Sequence, residues 1–128
     1  MEVKFLHCQV CGNLLIPAID SGAVPVCCGK TMDLLAPGST DAAVEKHVPV
    51  VKRLDDGKHV TVEIGSVPHP MVEEHYIQLV VLTYGDKFFY QKLAPGSEPS
   101  ARFRIKDNTV PITAYAYCNL HGLWKSDI

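Results

Sequence analysis

Four cysteines near the N-terminus have the spacing of a metal-binding cluster. Two are separated by two residues and two are adjacent in the sequence: Cys8, Cys11, Cys27 and Cys28. Four thiolates form a tetrahedral site that suits either iron or zinc. Gly12 follows the first pair and permits the tight turn that directs backbone amides toward the sulfurs. An adjacent cysteine pair cannot form the same turn, so we expect a distorted tetrahedron.

Two disulfides or a structural zinc ion are the alternatives for this cluster. The chain has five cysteines, which is an odd number, and its first residues lack a secretory pattern. Both observations favour reduced thiols over disulfides. Zinc ribbons normally repeat the Cys-x-x-Cys spacing, whereas the second pair here is adjacent. The choice between zinc and iron stays open on these residues alone.

A second set of metal-binding side chains is spread through the rest of the chain. It comprises four histidines and one cysteine: His47, His69, His75, His121 and Cys118. Each lies in a predicted loop or at a predicted strand end, where functional residues concentrate. Five ligands exceed the four that zinc usually takes, which favours iron. With the imidazoles in one plane and the thiolate axial, a sixth position would stay open for a small oxygen species.

A role unrelated to metal binding explains any one of these five residues more easily than it explains all five together. A lone histidine near a strand end is more often a surface residue, and a lone Cys118 is more often a small buried hydrophobe. We interpret His7 and His59 in this way, because His7 only neighbours a cysteine and His59 lies on the polar face of a predicted strand. For the five residues together, this interpretation requires several coincidences.

Period-two hydrophobic patterns predict the strands that position these residues. Val60, Val62 and Ile64 alternate with polar residues, and five more segments have strand character: residues 48–54, 76–83, 86–93, 101–106 and 112–118. Turn-forming residues such as those at 55–57 and 106–108 separate them. The only helical pattern is about one turn near residues 41–44. These patterns predict an all-β protein built around an antiparallel β-sandwich.

The segment Ala36-Pro37-Gly38-Ser39-Thr40 is rich in turn-forming residues and marks a predicted domain boundary. Residues 1–36 are too few to bury a useful hydrophobic core, so we expect a metal ion to stabilise them. Residues 37–128 contain all the longer predicted strands and would form the sandwich.

Composition and charge exclude several classes of protein. The 128 residues are 47% hydrophobic and 20% charged with a net charge of -2, which is not the basic character of a nucleic-acid-binding domain. No apolar run is long enough to span a bilayer. With no secretory pattern at the first residues, we expect a cytoplasmic protein without nucleic-acid or membrane partners.

Taken together, the motifs resemble the desulfoferrodoxin family over essentially the whole chain. The four N-terminal cysteines resemble its desulforedoxin-like domain, and residues 45–50 (EKHVPV) resemble a family signature. His69-Pro70-Met71 with His75, and residues 118–125 (CNLHGLWK), match its other motifs in the expected order. The resemblance implies a desulforedoxin-like Fe(Cys)4 domain in residues 1–36. It also implies an immunoglobulin-like β-sandwich in residues 37–128 with an Fe(His)4Cys site.

The resemblance further implies a superoxide reductase with two iron ions per chain. Ferrous iron at the His4Cys site would reduce superoxide by one electron, and two protons would complete hydrogen peroxide without releasing dioxygen. Lys46 would attract superoxide and stabilise the anionic product. Glu45 resembles the residue that occupies the sixth position of ferric iron, although a solvated charge pair is the ordinary alternative for Glu45 and Lys46. A homodimer and a rubredoxin-like electron donor are also implied.

Three other functions match part of the pattern: a non-catalytic iron electron-transfer protein, a metal-stabilised sandwich that binds a partner, and a superoxide dismutase. An electron carrier should have a closed second site, and a structural module should lack the second metal. A dismutase would release dioxygen. We rank the reductase first.

Overall fold

The chain folds as two separate units, Glu2–Ala36 and Pro37–Ile128, in a computed structural model that describes residues 2–128. We call them the small unit and the large unit. Both consist of antiparallel β-structure with one short helix in the large unit. The predicted all-β fold is confirmed.

The small unit is built from short strands around a small core. Its strands are β1 (Leu6–His7), β2 (Leu14–Leu15), β3 (Val26–Cys27), β4 (Lys30–Thr31) and β5 (Asp33–Leu34). One antiparallel sheet has the order β2-β1-β5, and β3 pairs with β4. Leu6, Cys8 and Met32 form a buried cluster against which Cys27 packs. Because two of the predicted metal ligands belong to this cluster, a bound ion would stabilise the core directly.

The large unit contains the helix and seven longer strands. They are α1 (Val44–His47), β6 (Pro49–Arg53), β7 (His59–Ile64), β8 (Ile77–Tyr84), β9 (Lys87–Lys92), β10 (Ser100–Arg104), β11 (Thr113–Cys118) and β12 (Gly122–Asp127). The strands form two antiparallel sheets with the orders β10-β7-β6 and β12-β11-β8-β9.

Alternate residues of these strands meet in one core between the two sheets. Val60, Val62 and Ile64 of β7 share a buried cluster with residues of the other sheet: Val80, Leu82, Ala114, Ala116 and Cys118. Full burial of each valine, leucine or isoleucine side chain in this cluster stabilises the fold by about 1.5–3 kcal/mol. Cys118 is the last inward-facing residue of β11, so its thiol lies at the end of the hydrophobic core.

The helix begins three residues later than the sequence predicted. The expected turn near residues 41–44 is wrong in position, because α1 spans Val44–His47. Glu45 in the first turn and Lys46 in the last complement the helix dipole. Val48 is extended before Pro49, and this ends the helix immediately after His47. Among residues 2–128, no helix has the length and apolar character needed to cross a membrane.

Strand β12 was not predicted from the sequence. Leu123 and Trp124 are consecutive and both buried, so the segment lacks the alternation that marks a strand. It nevertheless pairs with β11 along its length, from Thr113 opposite Asp127 to Cys118 opposite Gly122. The hairpin turn at residues 119–121 therefore returns the chain beside Cys118.

Candidate metal centres

The four N-terminal cysteines converge in the small unit. The sulfur atoms of Cys8, Cys11, Cys27 and Cys28 all lie within 4.8 Å of one another. The Sγ atom of Cys27 is 3.5 Å from that of Cys11 and 4.0 Å from that of Cys28. Four sulfurs bound to one ion at about 2.3 Å would be about 3.8 Å apart in a tetrahedron. The cluster therefore fits a single tetrahedral ion.

The disulfide alternative for these cysteines is wrong. All five cysteines are free. A disulfide needs sulfurs about 2.05 Å apart, whereas the closest pair described above, Cys11 and Cys27, is separated by 3.5 Å.

The two cysteine pairs reach the cluster through different backbone geometries. In the first pair, the backbone N–H of Cys11 donates to Cys8 Sγ at 3.5 Å. Gly12 has a φ of 82° and donates to the Cys8 carbonyl at 2.9 Å, which closes the predicted turn. In the second pair, Cys28 has a φ of 53° and is the only non-glycine residue among residues 2–128 with a positive φ. A left-handed residue costs about 1–2 kcal/mol, so the adjacent pair carries strain.

The electrostatics of this cluster differ from one cysteine to the next. The backbone N–H of Cys11 stabilises the Cys8 thiolate and lowers its pKa to about 6. Hydrogen bonds from the Cys28 thiol to the side chains of Cys11 first, and then of Cys27 and Cys8, favour its protonated form and raise its pKa to about 12. Four thiols this close cannot all ionise at neutral pH unless a cation neutralises them. The cluster therefore has the donor set of a metal site.

The residues of the second predicted site converge at one end of the large unit. They come from α1, from the β7–β8 connection, and from the β11–β12 hairpin: His47, His69, His75, Cys118 and His121. One donor atom from each of four of them, His47, His75, Cys118 and His121, lies within 4.8 Å of all the others. The fifth, His69, places its Nε2 atom 3.1 Å from Nε2 of His47. The structure thus brings together all five residues.

The four imidazole rings form a square. Neighbouring ring centroids are 4.6 Å apart for His47 and His69, 4.7 Å for His69 and His75, and 5.0 Å for both pairs that include His121. His47 and His75 are 6.5 Å apart, which corresponds to the diagonal. Neighbouring rings are nearly perpendicular, at 78–88°, whereas the diagonal pair is inclined by 28°. This arrangement matches the expectation of four imidazoles around one ion.

Backbone carbonyls determine which ring nitrogen faces the centre of this square. The Nδ1 atom of His47 contacts the Ala43 carbonyl at 2.7 Å, and that of His69 contacts the Pro70 carbonyl at 2.7 Å. Each Nδ1 must carry a proton to donate to its carbonyl, so each Nε2 carries the lone pair. Two lone pairs facing each other at 3.1 Å repel, and a shared cation removes that repulsion. Two nitrogens bound at right angles to one ion at about 2.1 Å would be about 3 Å apart.

A further buried atom points to the same centre. The Nε2 atom of His75 is buried and has no hydrogen-bond partner within residues 2–128. An unpaired buried polar atom costs about 1–3 kcal/mol, and a metal ion would satisfy it. The donor set therefore fits a bound metal of the kind that the sequence predicted.

Burial holds the histidines neutral and disfavours the free thiolate. Desolvation lowers the pKa of His47 and His75 and lowers that of His69 to about 4. Neutral imidazoles are the form that binds metals. Burial also raises the pKa of Cys118, although the backbone N–H groups of Leu120 and His121 oppose this. A metal ion would overcome the penalty by deprotonating the coordinating thiol.

Trp124 supports two members of this site and was missed as a functional residue. Its indole stacks on His47 with ring centroids 5.0 Å apart and an interplanar angle of 30°. Its Nε1–H donates to the His121 carbonyl at 3.0 Å. The sequence signal was its place three residues after His121 in the CNLHGLWK motif.

Glu45 and Lys46 precede His47 in α1, and both are exposed. Within residues 2–128, no carboxylate lies within ion-pair distance of the Lys46 ammonium. The charge of Lys46 contributes to lowering the pKa of both His47 and His75. Lys46 therefore contributes an unneutralised positive charge that acts on His47 and His75.

The two histidines that we interpreted as ordinary lie outside both metal-binding groups. His59 begins β7 and hydrogen-bonds through Nδ1 to the Asp56 carboxylate in the preceding turn. His7 belongs to β1 of the small unit.

The sequence and the fold are similar to those of proteins called desulfoferrodoxin or superoxide reductase. A family model described as desulfoferrodoxin matches residues 39–127. A desulfoferrodoxin of Syntrophotalea carbinolica is 45% identical over 126 residues, which covers 98% of this chain and 97% of that protein. A superoxide reductase of Pyrococcus furiosus is 35% identical over 114 residues, which covers 70% of this chain and 92% of that protein. The crystal structure of the superoxide reductase from Treponema pallidum matches with a TM-score of 0.78 and 33% identity, covering 98% of this chain and 99% of that one.

Proposed function

The chain belongs to the desulfoferrodoxin family, and from that premise we propose how its residues act in a superoxide reductase. The activity is the one-electron reduction of superoxide to hydrogen peroxide. One electron and two protons convert each superoxide into one hydrogen peroxide, and no dioxygen is formed. Each chain has two iron sites, of the Fe(Cys)4 and the Fe(His)4Cys type.

The square of imidazoles beside a buried cysteine is the observation that most directly supports a catalytic second site. His47, His69, His75 and His121 are the proposed nitrogen ligands, and Cys118 is the proposed sulfur ligand. Ferrous iron bound there supplies the electron that superoxide takes up. The Ala43 and Pro70 carbonyls fix the ring orientations before iron binds, which lowers the reorganisation that binding requires. Cys118, fully buried, is shielded from solvent and from oxidation in bulk water.

Lys46 is the proposed electrostatic guide for superoxide. Superoxide is an anion, and the net charge of the chain is -2, so attraction must come from a local positive charge. Lys46 supplies that charge next to His47, and no ion pair described in residues 2–128 neutralises it. Its ammonium can also donate hydrogen bonds to the more basic product anion before protonation.

Glu45 is proposed to assist departure of the product. Its carboxylate is exposed on α1 two positions before a proposed ligand. Its carbonyl accepts hydrogen bonds from Val67 N–H at 3.0 Å and from the Ser66 hydroxyl at 3.3 Å. These contacts tie the backbone of Glu45 to the loop that leads to His69.

The N-terminal cysteines are proposed to hold the first iron in a desulforedoxin-like domain of residues 1–36, with residues 37–128 as the immunoglobulin-like catalytic domain. The small core around Leu6 and Met32 supports a stabilising role for that iron. The superoxide reductase of Giardia intestinalis, whose name specifies one iron, matches 66% of this chain. We therefore assign superoxide chemistry to the second site alone.

The proposed partners are a second copy of the chain and a small rubredoxin-like electron donor, and the proposed location is the cytoplasm. A homodimer is supported by the small unit, which exposes several large apolar side chains: Val10, Leu15, Ile19, Val24, Val26 and Leu34. Burying them against a second copy would stabilise a unit with so small a core.

Azide, a small anion that mimics superoxide in charge, tests whether the second site is catalytic. A reductase should bind azide with a change in the visible absorption of the oxidised iron, and Cys118→Ser should abolish the affected band. A closed electron-transfer site would give no azide-dependent change, and this result would contradict the proposal. The names of the relatives do not favour that alternative, since they include superoxide reductases.

A further inference from the structure

Asn119 lies between two proposed ligands of the second iron, Cys118 and His121. Its side-chain amide hydrogen-bonds to the segment that contains a third proposed ligand, His75. The Oδ1 atom of Asn119 accepts a hydrogen bond from the backbone N–H of Tyr76 at 3.0 Å. Its Nδ2–H donates to the Glu74 carbonyl at 3.1 Å. Its backbone N–H donates to the Tyr76 carbonyl at 3.2 Å. These three hydrogen bonds bracket His75 on both sides.

His75 is only partly buried and, in the part of the chain that the structure describes, lacks the ring contact that orients the two buried histidines, His47 and His69. The rings of His47 and His69 are each fixed by a carbonyl on Nδ1. Within residues 2–128, no carbonyl holds the His75 ring in this way, and its Nε2 atom is unpaired. The backbone of His75 itself makes two mutual hydrogen bonds with Val72, both 3.0 Å long, and the bonds from Asn119 hold the residues on either side of it.

Regular pairing between β11 and β8 does not fix the orientation of His75. The pairing of β11 with β8 is regular as far as Tyr117 opposite Leu79, and then shifts so that Cys118 lies opposite Ile77. This bulge interrupts the ladder at the cysteine that the site requires. Beyond the bulge, the side-chain amide of Asn119 joins the β11–β12 hairpin turn to Glu74 and Tyr76, which precede β8.

We propose that Asn119 is a positioning residue that fixes His75 relative to the Cys118–His121 turn and thereby sets the geometry of the second metal site. Asn119 contacts neither the substrate nor the iron in this role. Only an asparagine-sized amide both accepts from Tyr76 N–H and donates to the Glu74 carbonyl from this position. The proposal rests on the assignment of these residues as iron ligands and goes beyond it.

The test compares Asn119→Ala with Asn108→Ala in the full-length protein. Asn108 is a matched control, because its side-chain amide likewise makes two hydrogen bonds to the backbone, in this case from Nδ2 to the carbonyls of Leu54 and His59, each at 2.8 Å. Two quantities are measured for each variant: the affinity of the second site for ferrous iron, by chelator competition, and the visible band of the oxidised site that Cys118→Ser removes. Thermal unfolding of each variant reports the purely structural cost.

We expect Asn119→Ala to weaken iron binding at the second site by about 10-fold to 100-fold, as for other residues that orient metal ligands, and to shift the Cys118-dependent band. Asn108→Ala should lower the melting temperature and leave both quantities at wild-type values. Asn119→Asp keeps the acceptor for Tyr76 N–H and loses the donor, so it should lie between wild type and Asn119→Ala.

An Asn119→Ala protein that is destabilised like Asn108→Ala but has wild-type iron affinity and a wild-type band overturns the proposal. If Asn119→Ala does not fold, an Asn119→Asp protein with both quantities unchanged overturns it instead. Failure of the ligand assignment itself has a different signature, because the wild-type protein would then lack iron at the second site.

Discussion

His47 and His69 direct their Nε2 atoms at each other across 3.1 Å, although the Nδ1 atom of each ring already contacts a backbone carbonyl. Neither Nε2 can therefore donate a proton to the other while both rings are neutral. The two atoms are close because the carbonyls of Ala43 and Pro70 hold the rings in position. The lone pairs of these two rings therefore face the centre of the site, and a bound cation removes the repulsion between them.

This relationship predicts that the metal-free protein loses stability in mild acid. The pKa of His69 is about 4 in the folded state against 6.5 for an unperturbed histidine. Between these values the unfolded chain binds more protons than the folded chain, so the free energy of unfolding falls as the pH falls. His47 and His75 shift in the same direction. From about pH 7 to about pH 5, His69 alone should account for a loss of roughly 2 kcal/mol, measured by urea unfolding.

The matched comparison for this effect is His69→Gln, which removes the titrating group. Its unfolding free energy should vary less with pH than that of the wild type, by about the contribution of His69. The comparison also cancels Cys8, whose pKa of about 6 adds a change of the same sign in the small unit. Identical pH dependence in the two metal-free proteins would show that His69 is not held neutral by the fold.

Lys46→Ala should slow the capture of superoxide. Removing one local positive charge should lower the second-order rate constant by about fivefold to tenfold at low ionic strength. It should also reduce the dependence of that rate on salt. Pulse radiolysis at several ionic strengths measures both. Lys87→Ala is the control, because it removes the same charge from a residue that pairs with Asp86 in the β8–β9 turn. A rate for Lys46→Ala that equals the control at low salt would argue against electrostatic guidance.

Gly65→Ala should impair both stability and activity. Gly65 has a φ of 87°, and a Cβ atom there would lie 2.3 Å from the Val67 carbonyl oxygen and 2.8 Å from the Glu45 carbonyl oxygen. The substitution therefore forces the Glu45–Lys46 backbone away from the loop that leads to His69. We expect a loss of at least about 3 kcal/mol in unfolding free energy together with a lower rate constant for superoxide.

Gly96→Ala separates backbone strain from this displacement. Gly96 has the same φ of 87° but no atom within 4 Å of the added Cβ. It should cost about 1–2 kcal/mol and leave the rate constant unchanged. Equal effects of the two substitutions on stability and rate would mean that close packing of Gly65 against Glu45 has no functional consequence.

Cys11→Ser should unload the first iron site without stopping superoxide reduction. Cys11 is exposed, and its backbone and side chain both contact other sulfurs of the cluster. Iron content should fall from two ions to about one per chain, and the small unit should unfold more easily. The rate constant measured in a single turnover should stay within about twofold of wild type. A large fall in that rate, with the second iron still bound, would assign the first iron a role in the reaction.

The residues that converge at the two sites could be predicted because each has a distinctive residue type in a recognisable motif. The alternating residues of β7 likewise predicted a strand, because Val60, Val62 and Ile64 face one core. In contrast, β12 contains the consecutive buried residues Leu123 and Trp124, and its pairing with β11 determines its conformation. Local pattern cannot reveal a strand of this kind.

The supporting contacts of the site could not be predicted for a related reason. The Ala43 and Pro70 carbonyls orient two rings, yet any residue type carries a carbonyl, so the sequence holds no sign of them. The position of α1 was wrong because residues 41–44 favour a turn locally, whereas the helix ends where Pro49 begins the next strand. The role of Asn119 depends on contacts with residues more than 40 positions away.

The products of the reaction distinguish a second site that reduces superoxide from one that dismutates it. The most direct measurement mixes the fully reduced, two-iron protein with superoxide in the absence of dioxygen and quantifies the products. We expect one hydrogen peroxide and one oxidised second-site iron for each superoxide consumed, with no dioxygen released. Formation of dioxygen, with hydrogen peroxide equal to half the superoxide consumed, would contradict this expectation and identify the site as a dismutase.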